Sequence, residues 1–499
     1  MDIGERARLF RSRDLTLGTF LERLAGVRGG DRLVQESGDG GLDLTYDEAA
    51  DLVARVARAI AAKIGAGDRV VVAAPNGYAL FLLCLGASRA GGVAVPVNPQ
   101  MRQEEIDHVV GDCGARLTVD SLDLAEGVEP AEAVPAEPKD VAALFYTSGT
   151  TGKPKGVELT HAALVGSAGA ATAFPARLLG GEVVCGLPVA HIAGFAGLVQ
   201  MAALGTPVFL LRKFRPDDAL DAIESRRATM FLGVPAMYRM MMEAGAEDRD
   251  LSSVRVWTSG ADAMPFELAR KFQKMGATIT IPFIGRTVGE AAFIDGYGMV
   301  ELGGGAAIKI LPPGIPLPLG GLVGIPLPGY HMSVVDDRGV EVERGEVGEL
   351  AVKGPGVMKG YHGREDATAE AMTPDGWMRT GDLARRRRMG LVEFAGRKKD
   401  VIKHGGYSVF AVEVEQSLGE HPAVAEAAVI GLTDERKGEI PVAVVRLRSG
   451  STLDEDELVG WAKGRMSDYK VPQRVVFVDD LPRTGTEKVQ KSGLKDLFA

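Results

Sequence analysis

The densest chemistry in the chain lies in ten consecutive residues, Thr147-Ser148-Gly149-Thr150-Thr151-Gly152-Lys153-Pro154-Lys155-Gly156. Four hydroxyls and three glycines suit a loop that wraps phosphate oxygens with backbone and side-chain donors. Lys153 and Lys155 add positive charge. The loop is not of the Walker type, because Pro154 follows Gly152-Lys153 where that loop needs Ser or Thr. Other chemistries find less support. Cys84, Cys113 and Cys185 are scattered, odd in number and without zinc spacing, which reads as reduced thiols of a cytoplasmic protein. A net charge of -10 gives no support for a nucleic-acid partner.

The elements that must hold the loop follow from local pattern. VAALFY (141–146) reads as a strand leading into it. DRVVVAAPNG (68–77), YALFLLCLGASRAG (78–91) and VAVPVNP (93–99) read as strand, helix and strand, which predicts a parallel sheet in an α/β domain. GEVVCGLPVAH (181–191) and VFLLRKF (208–214) continue the pattern. Arg89 and several glycines interrupt the most apolar stretch, so a core helix is expected there rather than a transmembrane span. MDIGERARLFRSRD lacks the apolar region of a secretory signal. EGVEPAEAVPAEPKD (126–140) reads as a surface linker, and a second Pro/Gly-rich region covers 311–330. ARRRR (384–388) reads as a solvated strand edge, with contact to coenzyme phosphates or a membrane surface as the alternative. At 499 residues the chain exceeds a single core of roughly 250–300 residues, so at least two domains are expected.

The string 147–156 resembles the signature of the adenylate-forming (AMP-binding) superfamily, which includes acyl-CoA synthetases, coumarate–CoA ligases, luciferases and peptide-synthetase adenylation domains. Further segments resemble the family's other motifs, in order, over nearly the whole chain. The resemblance implies an α/β fold with a large multi-subdomain N-terminal domain, 1–397, containing parallel sheets and binding AMP and the acyl group. A small α+β C-terminal lid domain, 398–499, would complete the luciferase-like arrangement. It implies that Thr147, Ser148, Gly149, Thr150, Thr151, Gly152 and Lys155 hold the phosphates of ATP. TSGADAMP (258–265) is similar to the loop against adenine, with Gly260 and Ala261 offering bare backbone. GYGMVELGG (296–304) resembles the Tyr-Gly-x-Thr-Glu motif, which makes Tyr297 the stacking partner of adenine and Glu301 the Mg²⁺ ligand. A carboxylate beside phosphate oxygens is the hard ligand that ion takes. WMRTGDLA (377–384) implies that Asp382 accepts the ribose hydroxyls, and GRKKD (396–400) that Arg397 contacts ribose or phosphate and Lys399 is the hinge. Lys488, in LPRTGTEKVQKSGL (481–494), matches the catalytic lysine; an ammonium there would stabilise charge between attacking carboxylate and α-phosphate. Lys403, with Gly405 and Gly406 in VIKHGGYSV (401–409), matches the segment that serves the thioester step with coenzyme A.

PVAHIAG (188–194) resembles the acyl-pocket segment, with His191 either gating the pocket or packed as a core histidine. Ile192, Phe195 and Met237 are candidate pocket walls, and Gly303 and Gly304 leave room for a tail. Apolar walls favour a fatty or aryl-alkyl acid. The expected activity is acid–thiol ligation: ATP converts the acid to acyl-AMP, and coenzyme A takes the acyl group. An acyl carrier protein is the rival acceptor, a weakly active nucleotide- or acyl-binding homologue is the rival of another class, and a homodimer stays open. Two residues depart from the family pattern: Val300 stands where Thr is usual, and Glu487 where Gly precedes the lysine. GATITIPFIGRTVGEAAF (276–293) is longer than expected between the adenine loop and Tyr297.

Overall fold

The strand predicted after Asp68 forms at Arg69–Val72, the helix at Tyr78–Arg89 and the returning strand at Val93–Pro96. The two strands pair in parallel, Val70 beside Ala94 and Val71 beside Val95. Every residue from Leu80 to Arg89 is buried, which explains why the helix is apolar on all sides. Arg89 is the exception in kind. Its Nε donates to the Ala131 carbonyl at 2.9 Å and its Nη1 to Glu22 at 2.7 Å. A buried cation thus pins the Pro/Glu/Ala-rich segment 126–140 to the domain surface. The computed structural model describes residues 14–98, 101–147, 154–166, 181–280, 287–315, 321–483 and 489–498.

The chain divides into two compact units. The first comprises 1–320, 324–331 and 353–372. Among its described residues, one six-stranded sheet runs Gly360–Tyr361, Lys155–Thr160, Val141–Thr147, Val93–Pro96, Arg69–Val72, Leu117–Val119. A nine-stranded sheet runs Ile325–Pro326, Gly304–Leu311, Ala292–Met299, Val256–Gly260, Met230–Leu232, Val183–Cys185, Val208–Leu210, Arg32–Glu36, Asp43–Thr45. Its six central strands, from 292–299 to 32–36, are parallel. Helices fill both faces, as parallel sheets require. Tyr46–Ala61 starts at a capping box in which Thr45 accepts from Glu48 N–H and Glu48 accepts from Thr45 N–H. The long segment 276–293 contains a short hairpin, Ile279–Thr280 against Thr287–Val288.

The second unit comprises 321–323, 332–352 and 373–499. It holds a four-stranded sheet, His331–Val335, Val347–Lys353, Met378–Arg386 and Val392–Arg397, and a five-stranded sheet built on the hairpin Val424–Asp434 and Gly438–Leu447. The expected domain boundary at 397/398 differs from this division. Strand Val392–Arg397 runs through the turn Lys398–Asp400 directly into Val401–His404, and it packs on helix Ala411–Gly419. The hairpin ending at Arg397 therefore groups with the C-terminal residues. Arg386 and Arg387 of the basic run pair with Glu341 and Glu393. All three cysteines are free and buried. No helix among the described residues is long and apolar enough to cross a membrane.

His161 offers a pH test of the first unit. Its Nδ1 accepts the Leu17 N–H at 3.0 Å, and burial lowers its pKa to about 4. The unfolded chain, with an ordinary histidine pKa of ~6.5, binds the proton more readily. The stability contributed by neutral His161 is therefore full above pH ~6.5 and is lost as pH falls toward 4. Urea unfolding between pH 8 and 4.5 should show a steeper acid loss in the native chain than in His161→Gln.

Candidate active site

The phosphate loop is the connection of a hairpin. Strands Val141–Thr147 and Lys155–Thr160 are antiparallel, and Thr147 pairs with Lys155 at the loop's base. Ser148, Gly149, Thr150, Thr151, Gly152 and Lys153 lie outside the described residues. Gly156 lies close under Tyr146: a Cβ there would sit 3.1 Å from the Tyr146 ring, so a larger residue would have to push the ring aside. Tyr146 donates to Asp112 at 2.9 Å, and a His108 ring nitrogen lies 3.2 Å from the Pro154 carbonyl. Strand Gly360–Tyr361 pairs with the outer edge of the hairpin, setting Tyr361 opposite Val157. The Tyr361 hydroxyl donates to Glu301 Oε1 at 2.9 Å, and the Lys155 ammonium stands 5.0 Å over the Tyr361 ring. Burial and the Glu301 carboxylate push the Tyr361 pKa up, so the phenol stays a donor. Lys155, Tyr361 and Glu301 are thereby brought together. Glu301 is half-buried, and its other oxygen suits Mg²⁺, which takes one or two carboxylates alongside phosphate oxygens. Composition gave no sign of Tyr361, 60 residues beyond Glu301; its two-residue strand carries no periodicity to read.

Gly260, at the carboxyl end of strand Val256–Gly260, is the register partner of Gly296 within the adjacent parallel strand Ala292–Met299. Ligands of open α/β sheets bind at such ends. Together the two glycines leave a stretch of backbone without side chains. Ala261 follows with φ of +68°, a left-handed conformation that non-glycine residues rarely hold and that concentrates at functional sites. Tyr297 is next to Gly296 and opposite Ala307. Behind it, Asp295 and Lys309 pair across strands at 3.0 Å with both side chains 10% exposed. Val300 begins the turn Val300–Leu302, only 9% exposed and packed in the main core.

The acyl segment is anchored by Asn76, another residue that sequence pattern did not reveal. Its Oδ1 accepts the Val189 N–H at 2.8 Å and its Nδ2 donates to the Arg212 carbonyl at 2.9 Å. His191 caps helix Ile192–Leu204, its Nδ1 accepting the Ala193 N–H at 3.2 Å. Ile192 and Gly304 come together: a Cβ on Gly304 would lie 3.1 Å from Ala196 Cβ and 3.8 Å from Ile192 Cγ1. Phe195 goes elsewhere. It has no exposed surface and packs edge-on between Phe81 and Phe145, with ring centroids 4.9 and 5.4 Å away. It belongs to the core rather than to a pocket wall. Met237 is also buried, near Phe214, and both approach Gly186. Gly303, at φ +66°, is required by close backbone: a Cβ would lie 3.0 Å from the carbonyls of Ala163 and Gly356.

In the second unit, Asp382 is 2% exposed and faces its cross-strand partner Arg397, whose Nε is 3.2 Å from Oδ1. Lys399 lies in the turn Lys398–Asp400, where burial lowers its pKa. Lys403 is exposed on the hairpin Val401–His404 and Tyr407–Phe410, and its ammonium bonds Ser408 Oγ at 2.9 Å. Gly405 and Gly406 form the turn with φ of +56° and +83°. Glu487 and Lys488 lie outside the described residues.

Two largely parallel sheets, a hairpin whose connection carries the Ser/Thr/Gly-rich string and bare backbone at Gly260 and Gly296 are the frame of an α/β enzyme. The chain belongs to the AMP-binding enzyme family, whose model matches residues 21–362, with the AMP-binding enzyme C-terminal domain matching 413–488. It is 35% identical to a feruloyl-CoA synthase of Amycolatopsis over 92% of this chain and 95% of that one. It is 32% identical to an indoleacetate–CoA ligase of Aromatoleum aromaticum over 97% of this chain and 98% of that one. ATP-bound MatB from Rhodopseudomonas palustris superposes with a TM-score of 0.83 at 29% identity, over 100% of this chain and 99% of that one. The protein is an acid–thiol ligase of the AMP-forming acyl-CoA synthetase branch, using ATP and coenzyme A.

Val300 can be tested directly. Because its side chain packs in the core, Val300→Thr should lose about 1–3 kcal/mol of stability by burying a hydroxyl. Denaturant melts and kcat/KM for ATP should show that loss without a gain in adenylation. A tenfold gain would mean that the new hydroxyl reaches phosphate.

Proposed function

We propose that this ligase activates an apolar carboxylic acid, of the aryl-alkyl or fatty class, and transfers it to coenzyme A. The observation that carries the reading is the apolar approach of Ile192 and Ala196 to Gly304, three residues from Glu301. Ile192 is itself 2% exposed, so the reading is that an acid bound beside these apolar side chains would favour an apolar tail. The names of the feruloyl and indoleacetate enzymes support an aryl-alkyl acid.

In the first step an oxygen of the acid attacks the α-phosphorus, and the bond to the pyrophosphate oxygen breaks. Thr147, Lys155 and the loop between them hold the phosphates, and Lys488 stabilises the charge that gathers at phosphorus. Tyr297 stacks on adenine against the bare backbone of Gly260 and Ala261. Asp382 and Arg397 take the ribose. Glu301 would hold Mg²⁺, which when bound would supply charge neutralisation on the phosphates. In the second step the coenzyme A thiol loses its proton to solvent and its sulfur attacks the acyl carbon. The bond from that carbon to the phosphate oxygen breaks, and AMP leaves. Lys403, Gly405 and Gly406 serve this step, and Lys399 is the hinge that exchanges the two.

A pyrophosphate-release screen with coenzyme A tests the substrate reading. Aryl-alkyl and medium or long fatty acids should outperform acetate, malonate and free amino acids, and each further buried methylene should contribute about 0.8 kcal/mol until the pocket is full. A flat response to tail length, or preference for malonate, overturns it; turnover with an acyl carrier protein but not with coenzyme A overturns the acceptor.

Single-turnover assays separate the half-reactions. Lys488→Ala should lose roughly 100- to 1000-fold in acid-dependent pyrophosphate release. The same variant should still make acyl-CoA from pre-formed acyl-adenylate. Lys399→Pro should show the reverse, because proline fixes φ and removes an N–H at the hinge.

A further inference from the structure

Tyr361 meets a cation with its ring and a carboxylate with its hydroxyl, and both partners belong to the site. Its backbone is fixed on two sides. The Tyr361 N–H donates to Thr368 Oγ1 at 2.9 Å, on helix Glu365–Ala371, and the next residue, His362, donates its N–H to the Gly156 carbonyl at 2.8 Å. In the antiparallel pair with Lys155–Thr160, Tyr361 stands opposite Val157. Lys155 is two residues from Val157, so it is the diagonal neighbour of Tyr361 on one face of the pair, a span that aromatic and long side chains bridge. That register places the Lys155 ammonium 5.0 Å over the ring, inside the range of a cation–π contact. The hydroxyl donates to Glu301 Oε1 at 2.9 Å. The Glu301 backbone is tied to the same segment, its carbonyl accepting the Met358 N–H at 2.8 Å. Tyr361 is half-buried against the main core. Burial, together with the Glu301 carboxylate, pushes its pKa up, so the phenol keeps its proton.

Phenylalanine would fill the same core space, so packing alone does not call for the hydroxyl. A carboxylate has two oxygens, and a donor fixed on one of them sets the orientation of the other. Carboxylates that ligate metals are themselves hydrogen-bonded, and such partners tune the affinity of the site. We propose that Tyr361 is a positioning residue with two separable duties: its hydroxyl fixes Glu301 as the Mg²⁺ ligand, and its ring face holds the Lys155 ammonium for the nucleotide phosphates. The proposal rests on the roles given above to Glu301 and Lys155. Tyr361 acts through those two side chains. The duties divide between hydroxyl and ring, so substitution removes them one at a time.

Tyr361→Phe removes the hydroxyl and keeps the ring. Tyr361→Leu removes both, and Tyr361→Met replaces it where the leucine variant fails to fold by circular dichroism. Each full-length enzyme is saturated with a non-hydrolysable ATP analogue and titrated with Mn²⁺, the free ion being read by electron paramagnetic resonance. A second titration measures analogue affinity in EDTA. Tyr361→Phe should weaken Mn²⁺ binding about 10- to 100-fold, the usual cost of losing a partner of a metal ligand. Its analogue affinity in EDTA and its KM for the acid should stay nearly unchanged, whereas a general loosening of the fold would worsen all three. Tyr361→Leu should show the same Mn²⁺ loss and, in EDTA, about two- to fivefold weaker analogue binding, the scale of one exposed cation–π contact. Glu301→Gln and Lys155→Met run beside them. If Glu301→Gln loses Mn²⁺ while Tyr361→Phe binds it as the native enzyme does, the positioning of Glu301 is overturned and the reading of Glu301 stands. If Glu301→Gln binds Mn²⁺ normally, the reading of Glu301 fails and that duty fails with it. Equal analogue affinity in EDTA for Tyr361→Phe and Tyr361→Leu, with Lys155→Met weakened, overturns the duty of the ring. An unweakened Lys155→Met overturns the reading of Lys155 and the duty of the ring together.

Discussion

The hydrogen bond from Tyr361 to Glu301 joins the two sheets on which the first unit is built. Tyr361 belongs by its backbone to the six-stranded sheet, at the edge of the phosphate-loop hairpin. Glu301 belongs to the turn that ends strand Ala292–Met299 of the nine-stranded sheet. One contact of 2.9 Å therefore ties the edge of the hairpin Val141–Thr147 and Lys155–Thr160 to the end of strand Ala292–Met299. A bond to a charged acceptor contributes about 1.5–3 kcal/mol, and here backbone reinforces it. The Met358 N–H donates to the Glu301 carbonyl at 2.8 Å, and Gly303 lets the chain at Gly356 pass within backbone contact. The segment 353–372, far along the chain, is thus part of the site's frame rather than an appendage.

The base slot on the other sheet is made by removing side chains. Gly260 and Gly296 stand side by side, and a Cβ on Gly260 would come 3.1 Å from the Gly296 carbonyl. Ala261 holds a left-handed φ that costs of the order of 1 kcal/mol or more. The Asp295–Lys309 pair lies along the neighbouring strands and locks Ala292–Met299 to Gly304–Leu311. Rigidity there compensates for a surface that has little side-chain packing of its own.

Much of this was legible in the sequence because it depends on local pattern. Consecutive valines around a wholly apolar helix specify a parallel strand–helix–strand unit, and 69–96 forms one. The phosphate loop is legible because its chemistry is contiguous. Phe195 was not, since its three-residue spacing from Ile192 on a helix buried around most of its circumference does not say which residues face an acyl group and which face Phe81 and Phe145. Val300 reads as a missing hydroxyl in sequence and as a core side chain in space. Tyr361 and Asn76 depend on contacts across 60 and 113 residues, and no periodicity encodes such distances.

The lysines of the second unit differ in how firmly their charge is committed. Lys398 is spoken for: it bonds Asp337 at 2.8 Å and Glu349 at 3.2 Å, and both contacts raise its pKa. Lys491 is likewise held, between Glu415 and Asp400. Lys403 instead bonds a neutral hydroxyl, that of Ser408, at an exposed hairpin tip. A hydroxyl partner carries no opposite charge, so this bond lacks the Coulomb attraction that a carboxylate adds to a lysine contact. Ion pairs thus hold Lys398 and Lys491, while Lys403 bonds a neutral hydroxyl at the hairpin tip. The framework of this stretch is held by ion pairs, and of these three lysines Lys403 is the one whose contact is a neutral group at the surface.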